Sequence, residues 1–312
     1  MKAESQETQL STRAPFHLEA TVRVLQRRPT NLVEVWEQGR YVRVLRTSED
    51  LTLVEVENRG TIDEPDVRYS LRHGNPSTAT RRQLARTLRK VLGLDVDAGP
   101  PQRLVEADRR LRPVALALRG MRPPRFAEWF ETFVNVVPFQ QLSLEAGLAI
   151  VGRLVERFGE QLEQSGRRFH VPPTARAVAV ARLEALRKCG LSSRKAESLR
   201  YLARAIESGE LAEDKISGMK TDDALRALVE LPGIGPWSAS LVLLRGLGRL
   251  DVFPPGDVGA ARGLGALMHL RPGASLTRRV ERLGAYRGYL YFYALGGSLL
   301  RKDLIQAASS SR

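Results

Sequence analysis

The run LPGIGPWSAS at residues 231–240 constrains this chain more than any other stretch. Gly233 and Gly235, separated by one apolar residue, allow a tight turn and leave several N–H groups bare beside a helix N-terminus. Upstream, TDDALRALVE predicts a helix with Thr221 as N-cap, Asp222 and Asp223 in its first turn, and Leu225, Leu228 and Val229 as its apolar face. Downstream, Pro236 opens a second helix on which Trp237, Leu241 and Leu244 share a face, while Ile234 plugs the turn between the two helices. Residues 221–247 therefore predict two helices joined by a glycine hairpin whose amides suit a phosphate. A plain helix–helix connection that needs glycine only for its backbone angles would use the same residues.

Charge points the same way. Among 312 residues, 49 lysines and arginines face 35 acids, a formal excess of +14 that suits a nucleic-acid partner, although membrane-surface and ribosome-associated proteins share it. The single cysteine, Cys189, excludes an internal disulfide and a cysteine-held zinc or iron–sulfur cluster, and reads as a small buried apolar residue. No stretch is apolar enough for a membrane span, and the opening MKAESQETQLSTR lacks the core of a signal peptide, so the expected location is the cytoplasm, near the cell's DNA.

The fold class expected is α+β. Residues 1–13 are polar and read as a disordered tail. Residues 14–100 read as an antiparallel sheet domain with one wet face: Val22 and Val24, Val33 and Val35, Val42 and Val44, and Leu51 and Leu53 alternate with polar neighbours, Gly39 marks a hairpin, and Arg81 to Leu92 follows as an amphipathic helix. Residues 101–312 read as wholly helical. Trp129, Phe130, Phe133, Val134 and Val137 define one buried face, and Ala196, Leu199, Leu202, Ala203 and Ile206 another, with connections marked by Gly190, Gly209, Gly218 and Pro272.

In DVFPPGDVGAARGL (251–264), Pro254, Pro255 and Gly256 make a rigid turn that delivers Asp257 to the start of a helix. Taken alone, Asp257 reads as an N-cap.

The hairpin and the Pro-Gly-Asp element together resemble the helix-hairpin-helix DNA glycosylase superfamily, in particular its alkylated-base branch, the 3-methyladenine DNA glycosylase II proteins. The resemblance spans about residue 105 to the C-terminus and extends loosely to the sheet. It implies that Gly233, Ile234, Gly235 and Pro236 grip a DNA phosphate, with a monovalent cation held by hairpin backbone carbonyls, and that Asp257 is the catalytic carboxylate. No other cofactor is implied. Breaking an N-glycosidic bond develops positive charge on the sugar, which a fixed carboxylate stabilises. A cationic alkylated base already leaves readily, so no strong general acid is required. In the strand-cutting branch a lysine stands two residues after the last hairpin glycine, where this chain has Trp237. The implied reaction is monofunctional, with Trp237 stacking on the base or packing in the helix core.

RGMRPPRFAEWFETFVNVVPFQQLSLEAG (119–147) resembles the segment whose second glutamine fills the space of the flipped nucleotide. The resemblance puts that role on Gln141 with Gln140 beside it, a pair that would serve equally as a polar helix terminus, and Phe139 stands where the family usually has glycine. Arg262, five residues after Asp257 on the same helix, reads either as a contact to DNA phosphate or as a solvated arginine. AYRGYLYFYALGGSLL (285–300) corresponds to the helix that brings an aromatic to the base pocket; Leu295 stands at that point, Leu241 replaces another aromatic, and Tyr289 and Tyr293 offer a substitute face or core packing. The partner implied is double-stranded DNA with a damaged base, bound by a monomer. Glycosylases for uracil, hypoxanthine or an oxidised purine, a non-catalytic damage binder and a partner-binding helical protein are the competing readings.

Overall fold

A computed structural model describes residues 7–271 and 276–308. In chain order the elements are β1 (Thr8–Gln9), α1 (Leu18–Gln26), β2 (Val35–Glu37), β3 (Arg40–Arg46), β4 (Leu51–Asn58), β5 (Val67–His73), α2 (Thr78–Leu92), α3 (Gly99–Glu106), α4 (Arg112–Ala117), α5 (Trp129–Val134), α6 (Leu144–Phe158), β6 (Gln161–Gln164), β7 (Arg167–His170), α7 (Ala175–Ala179), α8 (Leu183–Arg187), α9 (Ser193–Glu207), α10 (Glu213–Ser217), α11 (Thr221–Val229), α12 (Pro236–Leu241), α13 (Val258–Leu267), α14 (Thr277–Glu281) and α15 (Tyr289–Leu300). The architecture is α+β, as expected. It divides into two compact units: the first holds residues up to 30, 34–125 and from 250 onward, the second residues 31–33 and 126–249. The boundary expected near residue 100 therefore does not separate the compact units, because helices α3, α4 and α13 to α15 go with the sheet.

In the first unit the strands pair antiparallel in the order β1-β5-β4-β3-β2, with Val42 opposite Val35 and Val44 opposite Leu53. Gln38 and Gly39, both at positive φ (49° and 76°), make the tight β2–β3 turn that Gly39 predicts. The expected wet face is absent from the central strands. Arg43 is buried because it pairs with buried Glu34, which also accepts the Tyr41 hydroxyl at 2.6 Å, and Glu55 is buried in contact with Arg40 at 2.8 Å and with Arg72. Charges leave water here because each finds an opposite charge and a hydrogen bond.

Val22 and Val24 lie on helix α1, not a strand: Leu18, Val22 and Leu25 hold helical spacing, and burial around most of the helix lets a period of two arise by coincidence. The tail reading fails for residues 8–13, since Thr8 and Gln9 pair with Tyr69 and Arg68, Leu10 is buried, and the Arg13 carbonyl accepts from Arg122 at 2.6 Å. Residues 1–6 and Pro272 lie outside the described residues.

Helix α1 carries a pH-sensitive cap. His17 Nδ1 accepts the Ala20 N–H at 3.3 Å while Nε2 donates to the Gln306 carbonyl at 3.0 Å, an arrangement that only the neutral ring with its proton on Nε2 satisfies. Burial pulls the His17 pKa below its ordinary value of 6.5, partly opposed by the Gln306 hydrogen bond and by Glu19. The unfolded chain thus binds the proton more tightly. Stability from His17 is complete above pH 6.5 and is lost as pH falls through the lowered folded pKa. Thermal unfolding at pH 7 and pH 5 should show a larger acid loss for the wild type than for His17→Asn, which keeps a capping side chain without a titrating ring. Equal losses would remove His17 from the pH response.

The second unit is helical apart from the β6–β7 hairpin, where Leu162 and Phe169 pair on the buried side. The predicted stripe of α9 holds for Ala196, Leu199, Leu202 and Ala203, with Ile206 only half-buried, and Ser192 caps the helix by accepting the Lys195 N–H. Trp129 meets Phe133 edge to face at 5.1 Å and donates its indole N–H to the Leu211 carbonyl at 3.0 Å. No helix among the described residues is long and apolar enough to cross a membrane.

Candidate functional site

In the second unit, α11 and α12 flank the glycine turn as expected. The N-cap of α11 is Lys220, not Thr221, which sits one position inside and accepts a hydrogen bond from Arg249 at 3.0 Å. The two glycines serve differently. Gly233 has φ +79° and lies so close to Ser198 that a Cβ would fall 1.9 Å from the Ser198 hydroxyl. Gly235, the N-cap of α12, is extended (φ −99°, ψ 179°) with open space around it, so its lack of a side chain leaves the amides uncovered rather than enabling the turn. Ile234 is buried and its N–H donates to the Leu231 carbonyl at 3.0 Å, while Pro236 is exposed at the first helical position. This is a bare helix N-terminus of the kind that receives anions.

Trp237 is half-buried at the start of α12, and Leu241 is fully in the core. The helix then widens into a π-helical turn over Val242–Leu247 and stops at Gly248 in the left-handed region.

The loop after α5 runs through a 3-10 turn, Val137–Phe139, into Gln140 and Gln141. Phe139 is half-buried with its ring against Gly147 at the start of α6, where a Cβ would come within 2.3 Å of the ring. Gly147 thus makes room for the Phe139 ring. Gln141 is exposed and holds φ +55°, a conformation non-glycine residues rarely adopt, and Leu142 beside it is also exposed. Gln140 faces inward: its amide donates to the Gly233 carbonyl at 2.8 Å and to Ser238 Oγ at 2.9 Å. The Gln140 amide is therefore engaged by the hairpin, while Gln141 beside it is exposed.

Asp257 belongs to the first unit. The turn Pro254–Pro255–Gly256, with Gly256 at φ +69°, brings Asp257 to the N-cap of α13, half-exposed, with Oδ1 accepting the Ala260 N–H at 2.7 Å. The helix N-terminus favours negative charge at this point. Val258 and Arg262 beside it on α13 are exposed. Helix α13 packs tightly on α15, where a Cβ on Gly263 would sit 3.1 Å from Ala294. Tyr289 and Tyr293 lie on α15 with ring centroids 6.3 Å apart, both fully buried, and burial pushes both phenol pKa values up. Their burial makes them core residues of this unit rather than an open aromatic face; Leu295 beside them is half-buried. No cluster of His, Cys, Asp and Glu able to hold a metal ion occurs among the described residues.

Sequence reasoning passed over Lys195, Ser198 and Ser238, which meet the loop and the turn from α9 and α12. Nothing in the segment SSRKAES announces either contact.

Residues 134–283 match the HhH-GPD superfamily base excision DNA repair protein model, and residues 7–128 match the AlkA N-terminal domain model. The chain is 30% identical over 190 residues to a DNA-3-methyladenine glycosylase of Bacillus subtilis, covering 61% of this chain and 63% of that relative, less than two thirds of its length. It is 28% identical to DNA-3-methyladenine glycosylase 2 of Escherichia coli over 285 residues, 90% of this chain and 93% of the relative. The solved 3-methyladenine DNA-glycosylase of Archaeoglobus fulgidus superposes with a TM-score of 0.75 at 26% identity, covering 93% of this chain and 97% of that one.

Proposed function

We propose that this chain, whose residues 134–283 and 7–128 match the HhH-GPD superfamily base excision DNA repair protein and AlkA N-terminal domain models, is a monofunctional DNA glycosylase that removes alkylated purines such as 3-methyladenine. The observation that carries this reading is Asp257, a half-exposed carboxylate fixed by the Ala260 N–H at a helix N-terminus. The likeness to glycosylases of that name in Bacillus subtilis, Escherichia coli and Archaeoglobus fulgidus supports the substrate class.

In this reading the basic surface and the hairpin amides of Gly233 to Pro236 hold the DNA backbone, Gln141 enters the duplex, and the base leaves the stack. The bond from the sugar C1′ to the base nitrogen breaks, and its electron pair goes with the base, neutralising the cationic alkylated ring. Positive charge that develops on the sugar is stabilised by the Asp257 carboxylate. Water bonds to C1′ and gives up one proton to the surrounding solvent, and an abasic site remains. Trp237 at the position that would need an amine for a Schiff base supports hydrolysis without strand cleavage. A monovalent cation at the hairpin would be held by turn carbonyls. Those of Leu231 and Gly233 already accept protein hydrogen bonds, at 3.0 and 2.8 Å, and each keeps a second lone pair for such an ion. The protein would act wherever the cell keeps its DNA.

Incubation with methylated duplex DNA tests the reading. Release of 3-methyladenine, with strand breaks only after alkali, is the expected result. Strand breaks without alkali would overturn the monofunctional part, and tight binding to damaged duplex with no base released from any lesion would overturn the enzymatic part.

A further inference from the structure

Three segments of the second unit, distant in sequence, meet around one lysine. Lys195, in the first turn of α9, donates its ammonium to the Pro138 carbonyl at 3.1 Å and to the Gln140 carbonyl at 2.6 Å. Gln140 in turn donates its side-chain amide to the Gly233 carbonyl and to Ser238 Oγ. Ser198, three residues along α9 from Lys195, lies directly against Gly233. One helix thus touches the glutamine loop with Lys195 and the glycine turn with Ser198, and Gln140 joins the loop to the turn.

The Gln140 carbonyl is the informative contact. It belongs to the same rigid peptide plane as the Gln141 N–H, so a hydrogen bond to it sets the direction in which the chain enters Gln141. Gln141 holds φ +55°, and a conformation of that kind persists only where its surroundings determine it. Lys195 is half-buried, and burial lowers its pKa. Both hydrogen-bond partners shown for its ammonium are main-chain carbonyls rather than a carboxylate. An ammonium held in this way acts on the shape of the loop.

We propose that Lys195 is a positioning residue for nucleotide flipping: it fixes the Gln140–Gln141 peptide plane, and with Gln140 sets the exposed Gln141 side chain at a fixed distance from the hairpin. The inference rests on the reading of Gln141 as the residue that enters the duplex. It differs from the ordinary expectation for a lysine in a DNA-binding protein, a contact to phosphate.

The full chain carrying Lys195→Met, Lys195→Arg or Gln141→Ala is compared with the wild type in three measurements. The first is fluorescence of 2-aminopurine placed next to an abasic-site analogue, which rises when the stack opens. The second is single-turnover base release from methylated duplex. The third is the dependence of duplex affinity on salt. Lys195→Met should lower the flipping signal and the release rate roughly 10-fold, the scale expected when a reacting group is displaced by less than an ångström. Its salt slope should stay at the wild-type value, and its unfolding midpoint within a few degrees. Lys195→Arg, which can still donate to both carbonyls, should recover most of the flipping signal. A salt slope reduced by about one unit would identify a phosphate contact and overturn the inference. So would wild-type flipping in Lys195→Met beside impaired flipping in Gln141→Ala. If Gln141→Ala itself flips like the wild type, the wedge reading falls and the inference with it, whereas the base-release reading is judged separately from the products.

Discussion

Asp257→Asn is expected to slow single-turnover base release by roughly 100-fold or more while leaving the fold and the affinity for abasic-site duplex nearly unchanged. The substitution separates two properties of one side chain. As the N-cap of α13, Asp257 holds the Ala260 N–H at 2.7 Å, and asparagine caps a helix about as well as aspartate. The geometry of the turn and the packing of α13 on α15 therefore survive. What disappears is the negative charge, and with it the stabilisation of a sugar that becomes cationic as the base departs. Asp257→Ala removes both, so it should lose the activity and also about 1 kcal/mol of stability through the missing cap. Base release by Asp257→Asn within a few-fold of the wild type would reduce Asp257 to a capping residue. The catalytic assignment would then have to move elsewhere, and the reading of the chain as an enzyme would lose its main support.

Both the glycine turn and the Asp257 turn are legible in the sequence because each is local. Proline fixes φ, glycine permits left-handed or uncovered backbone, and an acid at a helix start has few alternatives to capping. The contacts that organise the glutamine loop are not legible. Lys195 reaches the Gln140 carbonyl across 55 residues and Gln140 reaches Gly233 across 93, and nothing in either residue's neighbours announces the partner. Helix α1 imitates a strand because a helix buried around most of its surface carries apolar residues at every spacing, including two. Tyr289 and Tyr293 are ambiguous for a related reason: aromatics four apart on a helix look the same whether they pack a core or face a ligand, and only their burial decides it. The wet face expected of the sheet fails where charges pair with each other, as Arg43 does with Glu34, because patterning treats every charge as solvated.

The sequence left two uses open for the hairpin, a phosphate site or a plain connection, and its two glycines can be made to answer separately. Gly233→Ala should weaken duplex binding by about 10-fold or more, and do so through the protein itself. A side chain at φ +79° costs about 1–2 kcal/mol, and the new Cβ would meet both the hydroxyl and the Cβ of Ser198, at 1.9 and 2.8 Å. The hydroxyl can rotate away, but the Ser198 Cβ is fixed to α9, so the turn must shift and take its amides with it. Adding Ser198→Gly should restore part of the affinity by removing the clash, leaving the backbone strain in place. Gly235→Ala is the contrasting case. Gly235 is extended, and a methyl group added there would have no neighbour within 4 Å, so alanine costs at most about 1 kcal/mol through a poorer cap. If the amides only connect two helices, Gly235→Ala binds DNA like the wild type. If a phosphate approaches them closely, the methyl group stands in its way, and affinity should fall several-fold with the unfolding midpoint nearly constant. Loss of binding in both variants with loss of stability in Gly233→Ala alone is the pattern a phosphate-gripping turn requires, since it separates the glycine that shapes the turn from the glycine that leaves room for the ligand.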